Sequence, residues 1–168
     1  MERGWIFGPF HLGSVEVMSR RIDMEEKSNQ LFEDMKLMLK KLKKASYESN
    51  MKNFQNDHGE FINAVVESVK NSDNTEKAIK EVSNSFVEDV FNAFAVNGKV
   101  GGRKQADLNF FMIYYVFPAI LLTEEECATE LCDGIKEAWN EKFPNTHIGY
   151  TTYEKLYESF RTKILGLF

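Results

Sequence analysis

Three histidines, two cysteines and one glycine-rich basic segment are the residues of this sequence best suited to chemistry. His58 is the most pointed of them. It sits in the series Tyr47, Met51, Phe54, His58, Phe61, Val65, Val69, whose steps of three and four draw one stripe along a helix. The period calls for a hydrophobe at that place. A histidine there can act as a ligand contact, a general base or a proton-sensitive group. The plainer alternative is a histidine at the edge of a core, satisfied by one hydrogen bond. Asp57 and Glu60 stand nearby in sequence, but only residues three or four apart share a helix face. Neither is expected to reach it.

Metal chemistry is not expected from the spacing. His11, His58 and His147 lie in three distant segments. No His-Glu-x-x-His, no Cys-x-x-Cys and no Glu-x-x-His pair of the bundle type occurs. No cofactor is implied either. Cys127 and Cys132, read on one helix, are separated by roughly 140° of rotation and roughly 7.5 Å of rise, which disfavours a bridge. They read as small buried hydrophobes. Reduced thiols fit a cytoplasmic location best. No Gly-x-Ser-x-Gly occurs, and no catalytic constellation is visible along the chain.

The segment Gly98–Lys104 reads GKVGGRK. Glycine amides ahead of a helix start can cradle an anion, with Lys99, Arg103 and Lys104 as its contacts. The phosphate-loop spacing Gly-x-x-x-x-Gly-Lys-[Ser/Thr] is missing, and no strand precedes. A loop with solvated cations is the competing reading.

The elements that must carry these residues are helical. The first helix is expected near Glu25–Ala45, with Leu31, Met35, Met38, Leu42 and Ala45 inward. The second runs near Tyr47–Lys70 and holds His58. The third runs near Glu76–Val96, with Ile79, Val82, Phe86, Val90 and Phe94 inward and Asp73 with Glu76 as its N-terminal pair. Three glycines within Asn97–Gly102 end it. Leu108–Leu122 follows, apolar or aromatic throughout apart from Asn109 and Pro118. A helix that is apolar all round is buried in a core or a membrane. Spanning a bilayer takes about 20 residues, so a buried central helix is expected and no membrane insertion.

Pro118 is the fault in that helix. It cannot donate to the carbonyl of Tyr114, and its ring crowds the preceding turn. The helix is expected to kink or end there, and the freed carbonyl needs another donor, such as a tyrosine hydroxyl or a water. A fifth helix is expected from Thr123, capped by a Thr123–Glu126 box, with Cys127, Leu131, Ile135, Ala138 and Trp139 inward. A sixth follows Thr151, with Tyr153, Leu156, Tyr157, Phe160 and Ile164 inward.

The chain has 168 residues, 14 Phe, only 3 Pro and a net charge of −5. That fits one globular domain. An acid excess does not fit a nucleic-acid coat, so no nucleic-acid partner is expected. Charge is unevenly spread. Lys36–Lys44 holds five Lys and no acid, whereas Thr123–Glu141 holds seven acids and one Lys. Residues 1–23 carry Gly4, Gly8, Pro9 and Gly13 without a sustained period, and lack the continuous apolar core of a secretory leader. They read either as an extension ahead of a start at Met24 or as an arm docking Trp5, Phe7 and Phe10.

The expected fold is therefore all-α, a single domain over residues 24–168 with about six helices around the segment 108–122. Three functions follow. The leading one is a non-enzymatic cytoplasmic interaction or adaptor protein, acting on a protein partner or on a second copy. The second is a small-molecule-binding bundle whose pocket, beside Pro118, is lined by His58, Tyr114, Tyr115 and Trp139. The third is an enzyme whose site is assembled only in space.

Overall fold

The computed structural model describes residues 15–41 and 47–144, and within them the side chains of 24–37, 47 and 49–144. The expected sixth helix, Thr151, His147, His11 and the aromatics of residues 1–14 lie outside the described residues. The described chain is all-α. Helix α1 spans Val15–Lys41, α2 Tyr47–Lys70, α3 Thr75–Phe94, α4 Gly102–Phe111, α5 Phe117–Leu121 and α6 Ala128–Lys142. A π-helical turn, Met112–Val116, joins α4 to α5.

The stripes read from sequence supply most of the core, with Ile79 and Ala138 half-buried at its edge and Met38, Leu42 and Ala45 outside the described side chains. Leu31, Met35, Met51, Phe54, Phe61, Val65, Val69, Val82, Phe86, Val90 and Phe94 are buried, as are Leu131, Ile135 and Trp139. Helix α5 packs on both α2 and α6, and α4 lies against α1. Most of the apolar run is buried, from Leu108 and Phe111 to Phe117 and Ile120. It is not buried all round: Phe110 is 40% exposed and stacks on Tyr114 at 4.1 Å between ring centres.

The Pro118 fault is resolved by two devices. Widening the preceding turn to a π turn lets the Phe117 N–H reach back five residues to the Met112 carbonyl. Pro118 then sits in the first turn of α5, where a missing N–H leaves little unmet. The Tyr114 carbonyl accepts a hydrogen bond from the Tyr47 hydroxyl at 2.9 Å. A tyrosine thus fills the vacancy that the proline creates.

Helix α1 begins at Val15, ten residues ahead of the expected start near Glu25 and within the stretch read as an extension or arm. Three further local expectations are corrected. The cap of α3 is Asn74, whose side chain accepts from the Lys77 N–H at 3.1 Å, and not Asp73. Thr123 does not open the next helix; its hydroxyl donates to the Ile120 carbonyl at 2.7 Å and closes α5. Glu124 then turns left-handed, with φ of 57°, so a helix cannot propagate through it, and α6 begins at Ala128. Cys127 consequently precedes α6 instead of lying within it. The α3–α4 connection, residues 95–101, contains a tight two-residue turn. Asn97 and Gly98 both take positive φ, and Val96 and Lys99 exchange backbone hydrogen bonds at 2.8 and 3.2 Å. An Asn-Gly pair suits that turn.

Candidate functional site

Two places on the described surface gather chemistry. The first surrounds His58. Helix α2 buries it to 4% exposure, on the stripe the period assigned. Phe54, one turn earlier, packs against its ring at 5.2 Å. Its Nε2 lies 2.6 Å from Asp34 Oδ2, a carboxylate supplied by α1. Asp57 belongs to the same cluster: one donor atom each from Asp34, Asp57 and His58 lie within 4.8 Å of one another. Adjacent helix residues diverge by about 100°, which is why Asp57 was not expected there. Asp34 reaches across from the neighbouring helix and meets both. No spacing in the sequence pairs residue 34 with 57 and 58. Only a docking of α1 on α2 does so.

The second place is a groove of about 730 Å³ between α3 and α6. The two helices run in the same direction. Ile79 and Ser83 face Gly134 near the start, and Glu88 and Phe91 meet Lys142 and Phe143 near the end. Glycine at 134 permits the close approach, since a Cβ there would lie 2.7 Å from the Ile79 side chain and 2.8 Å from Ser83 Oγ. Along α6 the steps of three and four bring Glu130, Asp133, Glu137 and Glu141 to the groove. From α3 come Glu76 and a single cation, Lys80. Glu76, Glu130, Glu137 and Glu141 form no ion pair with a described residue. Ser83, 1% exposed, lines the groove with a hydroxyl that has no hydrogen-bond partner among the described residues.

The residues expected around a small-molecule pocket do not share one cavity. His58, Tyr114 and Tyr115 belong to an aromatic cluster. Phe54 links His58 to Tyr115, whose ring lies 5.9 Å away, and Tyr47 touches Tyr115 at 5.5 Å and Tyr114 at 5.8 Å. Burial pushes the Tyr47 hydroxyl well above the usual phenol range, with Tyr115 and Tyr114 adding to it. Burial likewise raises Tyr115, against a hydrogen bond from Asn50 that lowers it. Trp139 lies apart. Its indole N–H donates to Asn109 Oδ1, which accounts for the lone amide in the apolar run. A cavity does flank Pro118, between Val116 and Ile120, but it measures about 40 Å³ and is lined only by apolar side chains. Pockets for small ligands are roughly 300–1,000 Å³.

Lys99, Arg103 and Lys104 are exposed, and α4 begins at Gly102 without a side-chain cap. Lys104 rests over the Phe94 ring at 6.0 Å, as Lys36 does at 5.9 Å. The three cations are not gathered around a common point by any contact in the structure. Cys127 and Cys132 are both free and buried. No family model matches the chain, and neither the curated proteins nor the solved structures yield a match.

Proposed function

We propose that this chain is a non-enzymatic interaction protein of the cytoplasm that seats a basic amphipathic segment of a partner protein in the groove between α3 and α6. The observation that carries the reading is the charge of that groove: Glu76, Glu130, Glu137 and Glu141 line it, with Lys80 as the one cation among its lining residues. Such a surface attracts cationic partners and repels acidic ones. Ile79 and Ala138 give the groove an apolar floor for the partner's other face.

The scaffold of this reading is one domain of six helices over residues 24–168, with 108–122 at its centre. The packing of α5 on two helices supports that arrangement. Two buried free thiols support a reducing compartment. No helix among the described residues is long and apolar enough to cross a membrane.

The test is an anisotropy titration with a labelled amphipathic peptide rich in Lys and Leu. The native chain is compared with a Glu130→Lys, Glu137→Lys double variant shown by circular dichroism to be folded. Affinity is expected to fall about tenfold or more, equal to ~1.4 kcal/mol. Undiminished binding by the variant, or none by the native chain, overturns the proposal. Self-association that the variant abolishes also overturns it, and assigns the groove to a second copy.

A further inference from the structure

We infer that Asp34, Asp57 and His58 form a binding site for one divalent transition-metal cation of the zinc class. The site lies at the seam of α1 and α2, apart from the α3–α6 groove, and owes nothing to the function proposed there. Three donor atoms, one from each side chain, lie within 4.8 Å of one another.

The donor set selects the ion. One imidazole nitrogen with two carboxylate oxygens suits zinc, cobalt or manganese. Calcium prefers a shell of oxygens alone. Three protein ligands leave at least one position for water, and the cluster is open on its solvent side, since Asp57 is exposed and Asp34 is 30% exposed. His58 is the fixed member, held between the Phe54 ring and the Asp34 carboxylate.

Charge makes the same case. Among the described residues neither Asp34 nor Asp57 has an ion pair with Lys or Arg. Of the lysines of α1 whose side chains are described, Lys27 pairs with Glu60 at 3.8 Å and Lys36 with Glu33 at 3.3 Å. Two carboxylates and a buried imidazole therefore converge with no Lys or Arg of the described side chains paired to them. Tetrahedral metal bonds of about 2.1 Å set adjacent donors roughly 3.4 Å apart, so the Asp34–His58 pair, at 2.6 Å, opens by roughly 0.8 Å as the ion enters between them. Asp57, exposed and unpaired, swings in.

The test uses the full chain with Zn2+ followed by calorimetry and Co2+ followed by visible absorption. One equivalent of Zn2+ is expected to bind, with a Co2+ spectrum of an ordered site that Zn2+ displaces. Asp57→Asn, an exposed change that spares the core, is expected to weaken both ions by at least ~10-fold while leaving the melting temperature in chelator unchanged. His58→Gln is the second variant and is expected to abolish binding. Failure of the native chain to bind one equivalent at micromolar Zn2+ overturns the site. So does unchanged affinity in Asp57→Asn, which would place the ion on other ligands.

Discussion

Tyr47 and Pro118 show how one residue's deficit fixes another's role. The Tyr47 hydroxyl meets the Tyr114 carbonyl that Pro118 leaves without its N–H partner. Tyr47→Phe removes that donor and leaves a half-buried carbonyl unmet. A loss of ~1–2 kcal/mol in urea unfolding is expected. In a Pro118→Ala background the backbone regains its own donor, so the same substitution is expected to cost less. A coupling of ~0.5 kcal/mol or more between the two changes is the signature. Additive effects would contradict it. Alkali tests the same tyrosine. Tyr47, Tyr115 and Cys127 all hold their protons more tightly in the folded chain, chiefly because burial disfavours the charged form. The unfolded chain releases them near the ordinary values of 9.0 for the thiol and 10.0 for the phenols. Stability is fully present below those values and falls as pH rises through and above them, because the unfolded state then binds fewer protons than the folded one. The urea midpoint is expected to drop from about pH 9 upward, and to drop less steeply in Tyr47→Phe.

At the scale of elements, helix faces were legible, while helix ends were legible for α2, which spans Tyr47–Lys70 as expected, but not for α1, α5 or α6. Steps of three and four along Leu31–Met35, Met51–Val69 and Val82–Phe94 named side chains that are buried, because periodicity alone decides which face turns inward. Ends depend on which of several nearby caps wins. Asn74 lies one residue beyond Asp73 and takes α3, while Thr123 serves the helix before it instead of the one after. Glu125 is held to Lys70 of α2 at 3.0 Å, an interaction between elements that no local motif announces. The π turn was legible only as a problem at Pro118, not as its solution. The close approach of α3 and α6 makes a sharp prediction at glycine. Gly134→Ala places a methyl against Ile79 and Ser83 on a packed neighbour helix and is expected to cost ~1–3 kcal/mol. Gly59→Ala meets only the flexible Gln55 amide, at 2.7 Å, on its own helix. The gain in helix propensity, up to ~1 kcal/mol, is expected to make it neutral or stabilising. Thermal unfolding of the two variants, side by side, separates a glycine needed for packing from one that is not.

Across the whole molecule, the uneven charge read from the sequence acquires a shape. The acid-rich stretch Thr123–Glu141 does not stay uniformly solvated. Glu130, Asp133, Glu137 and Glu141 line one groove, and Glu125 turns away to Lys70. Most of the basic run Lys36–Lys44 lies outside the described side chains. His58 was legible as an anomaly on an apolar stripe, but its partners were not, since Asp34 stands 24 residues away. Groups of opposite sign attract through a groove of this kind only until salt screens them, with a Debye length of about 8 Å at physiological ionic strength. Binding of a basic peptide is thus expected to weaken steadily with added salt. The most direct measurement maps that peptide onto the protein by amide chemical-shift changes. The shifts are expected to cluster at Ile79, Lys80, Ser83, Gly134 and Ala138, and to vanish in high salt. Shifts confined to the exposed Phe110–Tyr114 face, or persisting at high salt, would contradict the acidic groove as the seat of the interaction.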